Sequence, residues 1–211
     1  MAAMGWETWV GFVAAAAIIL AIPGPTILLV IGQSLGVGRG GRGGAWPLVA
    51  GVAAGDLVAM TLSLAGLGAL LAASATAFTV LKFAGAAYLV WLGVSLWRAK
   101  VPDEGEIPAA LEPWKAARAS FIVTALNPKS IAFFVAFVPL FIDPARPFLP
   151  QAAILVVTFV TLAAANASLY ALAAARLAGA VRRPRVRRWF NRTGGAMLIG
   201  AGAATAAMRQ G

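Results

Sequence analysis

Two short proline-containing sequences interrupt apolar stretches of the chain. AIPGPTI occupies residues 21–27 and ALNPKSI occupies residues 125–131. Proline inside a helix costs about 3 kcal/mol, because it lacks the amide hydrogen and clashes with the preceding turn. We therefore expect a helix to end and a new helix to begin at each sequence. The new helices would begin at Pro25 and at Pro128, with Asn127 as the N-cap of the second.

The types of side chain at these breaks indicate a binding site for a zwitterion. The N-terminal ends of the two new helices favour an anion such as a carboxylate, and Lys129 adds a positive charge there. Asp56 supplies a negative charge suited to an ammonium group or to a proton, and an acid inside an apolar segment is functional by default. The predicted binding residues are Pro23, Gly24, Pro25, Thr26, Asn127, Pro128, Lys129, Ser130 and Asn166, with Asp56 as the predicted proton-coupling residue.

The composition shows what surrounds these residues. Of the 211 residues, 61% are hydrophobic and only 11% are charged, whereas a soluble domain has about 25% charged residues. Six stretches are long and apolar enough to cross a bilayer core of about 30 Å. These predicted transmembrane helices cover residues 9–31, 46–72, 76–97, 119–142, 150–175 and 193–208. The first lacks the positively charged start of a secretory signal, so we expect it to be retained.

The basic residues between the predicted helices indicate the orientation in the membrane. The loops after helices 1, 3 and 5 hold two, four and seven Lys or Arg residues, whereas the opposite side holds Arg146 and Arg209. Lys and Arg are enriched in cytoplasmic loops. Both termini are therefore expected outside, in the periplasm of a bacterium, and residues 98–118 are expected to form a cytoplasmic loop.

The net charge of +10 does not indicate a nucleic-acid-binding protein. We interpret the basic run from Arg182 to Arg192 as an orientation signal that touches anionic lipid headgroups. The chain has no histidine and no cysteine, so thiolate chemistry and the commonest metal ligand are missing. We predict no metal and no cofactor.

The two halves of the chain resemble each other. The breaks are 104 residues apart, and Asp56 lies 110 residues before Asn166. Each half contributes three helices, so the second would enter the membrane from the opposite face, which is typical of an inverted repeat with a site at mid-membrane. The predicted units are residues 1–97 and 119–211. The breaks, Asp56 and Asn166 all lie roughly 12–15 Å from the cytoplasmic ends of their helices, so we expect them to meet.

At these residues the chain resembles the LysE/RhtB family of bacterial amino-acid exporters over essentially its whole length. The resemblance rests on P-G-P with the glycine- and arginine-rich loop behind it, and on G-x-x-x-G-D ending at Asp56. It also rests on L-K-x-x-G-A-x-Y-L at residues 81–89, and on N-P-K with the aromatic stretch that follows. It implies an inner-membrane carrier that exports amino acids or close derivatives using the proton gradient, and a homodimer as its assembly.

The number of intramembrane acids indicates the class of substrate. With one intramembrane acid and no second acid for a basic side chain, the sequence favours a small neutral or hydroxylated substrate, such as homoserine, threonine or a branched-chain amino acid.

Three other classes of protein are alternatives to a carrier. The main alternative is an oligomeric channel, whose pore would need a ring of Asp56 side chains. An intramembrane enzyme would need a catalytic pair and a metal transporter a ligand cluster. Neither is evident, so we predict that the chain is not an enzyme.

Overall fold

The computed structural model describes residues 4–36, 45–73, 75–98, 111–181 and 184–207. These residues form helices and connecting turns and contain no strand. The α-helices are α1 (Trp6–Ala21), α2 (Pro25–Gly36), α3 (Ala45–Ala73), α4 (Ala75–Arg98), α5 (Pro113–Ala125), α6 (Pro128–Ala136), α7 (Phe148–Val181) and α8 (Pro184–Ala207), and a 3-10 turn covers Val138–Phe141. The all-α fold class predicted from the sequence is confirmed.

The first and fourth predicted transmembrane helices are each broken in two, as expected. The axes of α1 and α2 differ by 58°, and those of α5 and the segment Pro128–Phe141 differ by 43°. The second half-helices begin at Pro25 and Pro128. Asn127 caps α6, since its side-chain oxygen accepts a hydrogen bond from the backbone N–H of Lys129 at 3.0 Å. Proline therefore sets both breaks by removing backbone donors.

Apolar helices of membrane-crossing length are present in the described residues. Ala45–Gly66 of α3 and Phe148–Ala174 of α7 each satisfy the length and composition of a span, and each bent pair satisfies them when its halves are joined. This gives up to four spans. The third and sixth predicted spans correspond to α4 and α8, which have 24 residues each and are about 36 Å long.

Helix contacts join the two halves of the chain. Helix α3 contacts α5 and α6, and α7 contacts α1 and α2. Helices α4 and α8 run antiparallel, because Gly93 lies against Gly195 while Ala86 lies against Gly202. Corresponding third helices must run antiparallel in an inverted repeat of three-helix units. Much of the predicted loop at 98–118 lies outside the described residues, and the division into units 1–97 and 119–211 stays a prediction.

The helices extend farther into the basic regions than the apolar stretches indicated. Helix α5 begins at Pro113, α7 continues to Val181, and α8 begins at Pro184. Arginine residues expected in the loop after the fifth span, such as Arg176 and Arg192, are therefore helical; Arg182 and Arg183 lie outside the described residues. Arginine is a strong helix former, so a helix need not end where its apolar stretch ends.

Glycines allow the closest approach between the two halves. A Cβ atom on Gly51 would collide with Ser120 and with the backbone of Ala117, and one on Gly55 would lie 2.8 Å from the carbonyl oxygen of Phe121. The sequence G-x-x-x-G therefore brings α3 directly against the backbone of α5, as small residues do between membrane helices. Because Asp56 follows Gly55, this contact also fixes the depth of the acid.

Candidate functional site

The two breaks lie side by side at the centre of the structure. The Thr26 hydroxyl oxygen, in the first turn of α2, accepts hydrogen bonds from the Asn127 amide nitrogen at 3.1 Å and from the Thr124 hydroxyl at 3.2 Å. All three side chains are buried. The predicted meeting of the breaks is therefore confirmed, and one buried hydroxyl joins α2, α5 and the N-cap of α6.

The C-terminal end of α1 presents backbone carbonyl groups that have lost their helical partners. The last four carbonyls of a helix have no donor within it, and here they belong to Ile19, Leu20, Ala21 and Ile22. Continuing the helix would not satisfy all of them, because the donors for Ile19 and Ala21 would be the nitrogens of Pro23 and Pro25, which carry no hydrogen. The P-G-P sequence therefore creates a carbonyl-rich end as well as a new N-terminus.

Three side chains of the second half satisfy these carbonyls. The ammonium group of Lys129 donates to Ile19 at 3.0 Å and to Ile22 at 2.7 Å. Asn166 donates to Leu20 at 3.0 Å, and Tyr170 donates to Ala21 at 2.9 Å. We call this cluster the α1 carbonyl end. A cation at the negative end of a helix dipole is favourable, so Lys129 is well placed here.

Asp56 lies near this cluster but does not pair with it. Its side chain is 3% exposed, and its Oδ1 atom is buried without a hydrogen-bond partner. Within the described ranges, the ion pairs are Lys115–Glu112 and Arg146–Asp143, and neither involves Asp56. A buried carboxyl oxygen without a partner is costly. The acid is therefore available to a proton or to a bound cation.

One small cavity joins these groups. Its lining comprises Ile19, Leu20, Gly24, Thr26, Ile27, Val52, Asp56, Asn127, Lys129, Ser130, Phe133, Phe159, Ala163 and Asn166. The space open to the centres of water-sized spheres is about 20 Å³, which is enough for about one water molecule. The cavity is narrow in this conformation, and an amino acid needs a wider one.

The predicted site residues divide into two groups. Seven of them line the cavity: Gly24, Thr26, Asp56, Asn127, Lys129, Ser130 and Asn166. The three prolines, Pro23, Pro25 and Pro128, are not in its lining and act through the breaks that they cause. Sequence reasoning assigned the positive charge of Lys129 to a ligand, whereas in the structure its ammonium group binds the α1 carbonyl end.

Sequence reasoning missed two contributors to this region. Tyr170 lies four residues after Asn166 and therefore on the same face of α7, which was the signal that could have identified it. The prolines in the sequence predicted free N–H groups at the start of α2, but they equally imply free backbone carbonyls at the end of α1. In the described part of the chain, no group of three or more acidic, His or Cys side chains is placed to hold a metal ion.

The arrangement can bind opposite charges at neighbouring points. The α1 carbonyl end and Asp56 provide acceptors for a cation. Lys129 provides a positive charge on a long side chain, and its partners are neutral backbone carbonyl groups. All of these groups lie in apolar helices. A polar ligand that leaves water for this region therefore finds hydrogen-bonding partners in the cavity.

Comparison with known proteins places the whole chain in one family. Residues 17–209 match the family described as LysE type translocator. An uncharacterized membrane protein of Vibrio cholerae is 35% identical over 94% of this chain and 96% of its own length. A homoserine/homoserine lactone efflux protein of Salmonella typhimurium is 32% identical over 98% of this chain and 99% of its own length.

A shorter alignment connects the chain to a second named relative. A leucine efflux protein of Salmonella choleraesuis is 36% identical over 66% of this chain and 65% of its own length. No solved structure matches at a significant level. Both named relatives are efflux proteins and not enzymes. With its helices, its paired breaks and a family match over nearly its full length, the chain belongs to the LysE family of amino-acid efflux translocators.

Proposed function

We propose that this chain is a secondary carrier that exports a small neutral or hydroxylated amino acid from the cytoplasm in exchange for protons. The observation that carries the proposal is the narrow polar cavity at the two helix breaks, with Asp56 and Lys129 in its wall. Discontinuous helices with a mid-membrane site are typical of secondary transporters. The direction of transport is supported by relatives that are named efflux proteins.

The names of the relatives support the substrate class. One relative is named for homoserine and homoserine lactone, and another for leucine. All three compounds carry an α-amino group, whereas the lactone has no free carboxylate. The apolar part of the cavity wall, which includes Ile19, Phe133 and Phe159, suits an aliphatic side chain. We therefore extend the proposal to homoserine, its lactone, threonine and branched-chain amino acids.

A carrier is favoured over a channel by the size of the cavity. Room for about one water molecule means that the cavity in this conformation is too narrow to be an open pore. In a carrier, the binding site closes to one side before it opens to the other, and rigid movement of one repeat against the other produces this alternation. Helices α1 and α6 are the elements whose separation would widen the cavity, because Lys129 of α6 holds the carbonyls of α1.

The proton is assigned to Asp56. It is buried in the cavity wall and has an oxygen atom without a partner. Protonation removes its negative charge. After deprotonation, the carboxylate can form an ion pair with Lys129 or with a substrate ammonium group. The proposal also places the protein in a bacterial inner membrane, with both termini in the periplasm. Residues 182–192 would contact anionic lipid headgroups, and two copies of the chain would form a homodimer.

Transport by the purified protein in liposomes tests the proposal. Export of labelled homoserine and leucine should depend on an imposed pH gradient, and unlabelled substrate on the opposite side should accelerate exchange. Lysine serves as the comparison substrate, because the cavity offers no second acid for its side chain. Uptake that neither saturates nor shows exchange, with a flux far above carrier rates, would instead establish the channel. Equal transport of lysine would overturn the substrate class.

A further inference from the structure

The α1 carbonyl end binds an ammonium group in this structure, and that group belongs to the protein itself. Lys129 contributes the same chemical group, R–NH3⁺, that an amino acid carries at its α-carbon. It donates to the carbonyl oxygens of Ile19 and Ile22 at 3.0 and 2.7 Å. Those oxygens are free for side chains because α1 ends at Ala21, with Ile22 as its C-cap, and because the helical donor for Ile19 would be the nitrogen of Pro23, which carries no hydrogen.

We infer that the α1 carbonyl end, together with Asp56, is a binding subsite for primary ammonium groups, and that Lys129 occupies it when substrate is absent. A substrate ammonium group would displace Lys129 from the carbonyls of Ile19 and Ile22. Lys129 would then be released to pair with the substrate carboxylate or with Asp56. The inference deepens the proposed function, on which its transport consequences rest, by naming the group of the substrate that is recognised and its binding partners.

A second observation supports the subsite independently of Lys129. Asp56 is 3% exposed, lines the same cavity and has a buried Oδ1 atom without a hydrogen-bond partner. A carboxylate oxygen is the strongest acceptor available for an ammonium group, which has three donors to satisfy. Lys129 satisfies two carbonyls and makes no ion pair with Asp56 within the described ranges. The cavity therefore holds acceptor capacity that its own lysine leaves unused.

The other two carbonyls set the shape of the subsite. Leu20 and Ala21 are bound by Asn166 and Tyr170, so only the carbonyls of Ile19 and Ile22 face an exchangeable partner. Gly24 keeps the approach open, because a Cβ atom there would lie 3.3 Å from the Cε and Nζ atoms of Lys129. The partners of Lys129 are neutral backbone groups, so Lys129 leaves no unpaired acid behind when it moves. A substrate ammonium group can therefore take its place.

Chemical rescue tests the subsite without transport. The variant Lys129→Ala removes the internal ammonium group from the purified full-length protein and leaves space for a small amine. Methylammonium chloride should raise its unfolding temperature by about 2 °C or more, and should leave the wild type unchanged. Tetramethylammonium has the same charge and no N–H group, so it should not rescue. Lys115→Ala is the matched control, because Lys115 is 64% exposed and pairs only with Glu112 on the surface.

A second variant covers the case in which Lys129→Ala does not fold. Lys129→Met keeps an unbranched side chain and removes the competing ammonium group. Leucinamide has the ammonium group of leucine and no carboxylate. It should bind Lys129→Met about tenfold more tightly than it binds the wild type, the factor expected for one charge-assisted hydrogen bond. If Lys129 only read the carboxylate, the two proteins would bind leucinamide equally well.

The outcomes separate this inference from the proposed function. Rescue by tetramethylammonium as strong as by methylammonium, no rescue of a folded Lys129→Ala, or equal binding of leucinamide by wild type and Lys129→Met would each overturn the subsite. If methylammonium rescues but neither homoserine nor leucine is exported, the subsite stands and the proposed function fails. If both are exported without these effects, the function stands and the subsite is wrong.

Discussion

Tyr170 on α7 donates its hydroxyl hydrogen to the carbonyl oxygen of Ala21 at 2.9 Å, at the last residue of α1. It also packs against the apolar cluster that Ile27 and Ile31 of α2 form with Ala174 of α7. Tyr170 therefore lies at the break between α1 and α2, whose axes differ by 58°.

Tyr170→Phe should loosen this bend without unfolding the protein. The lost hydrogen bond is worth about 1 kcal/mol, so we expect a decrease of that size in unfolding free energy, together with a changed transport rate. Tyr88→Phe is the matched control, because Tyr88 is the other tyrosine of the chain and its ring contacts Trp91 on its own helix α4. Equal transport by wild type and Tyr170→Phe would show that the bend does not depend on this contact.

Asp56→Asn should abolish export driven by a pH gradient while the protein still inserts and folds. The amide keeps the shape of the side chain but cannot take up or release a proton. Because the substitution removes a buried acid with an unpaired oxygen, we expect thermal stability to be equal or higher. Asp56 could couple protons or bind the substrate ammonium group, and substrate exchange without a pH gradient separates these two roles. Exchange by Asp56→Asn should persist only if Asp56 couples protons and does not bind the substrate.

Glu112→Gln serves as the control for that experiment, because Glu112 is exposed and pairs with Lys115. It should transport like the wild type. Unchanged gradient-driven export by Asp56→Asn would remove Asp56 from the coupling mechanism.

Asn127 and Thr26 should be energetically coupled across the two breaks. Asn127→Ala loses the N-cap of α6, worth about 1 kcal/mol, and also the hydrogen bond to Thr26. A double-mutant cycle with Thr26→Val should give a coupling free energy of about 0.5–1.5 kcal/mol in unfolding measurements. The same cycle with Thr158→Val should give no coupling, because Thr158 accepts its hydrogen bond from Trp9. Equal values in the two cycles would mean that the breaks are not joined in solution.

Glycines at different positions of α3 should respond oppositely to a methyl group. Gly55→Ala places a Cβ atom 2.8 Å from Phe121 and from Thr124, so we expect it to destabilise the protein by about 1–3 kcal/mol and to impair transport. Gly66→Ala meets nothing within 4 Å and should be neutral or stabilising by up to about 1 kcal/mol, because alanine favours the helix. Thermal unfolding of the two variants makes the comparison, and equal losses would contradict the close contact of α3 with α5.

The orientation of the chain is tested by reporters at its two ends. The distribution of Lys and Arg predicts that fusions at Met1 and at Gly211 both report the periplasm. A cytoplasmic C-terminus would contradict the predicted number of six spans and the inverted repeat together. The control is a fusion in the predicted cytoplasmic loop at 98–118, which should report the opposite side.

The sequence by itself determined the membrane environment, the two breaks and the chemical character of the site. Proline cannot donate a backbone hydrogen bond, so the breaks at Pro25 and Pro128 follow from covalent structure whatever surrounds them. Asn127 was identifiable as an N-cap for a similarly local reason. The repeat of three helices and the common depth of the polar residues then predicted that they meet.

The residue type of a glycine does not show whether the glycine lies against another helix. Gly51, Gly55 and Gly66 all lie in α3. The structure places the first two against α5, whereas Gly66 has nothing within 4 Å of a would-be Cβ atom. Close packing depends on the neighbouring helix and not on the glycine alone.

Only the tertiary structure decided the partners of Lys129, Asn166 and Tyr170. All three bind carbonyls of α1, which lie more than 100 positions away in the chain, and no local rule specifies contacts at that distance. A lysine side chain is long enough to bind a ligand, an acid or a helix end, and the choice depends on which acceptors the fold leaves unpaired beside it. Here the prolines of the first half create those acceptors, and the second half supplies the donors.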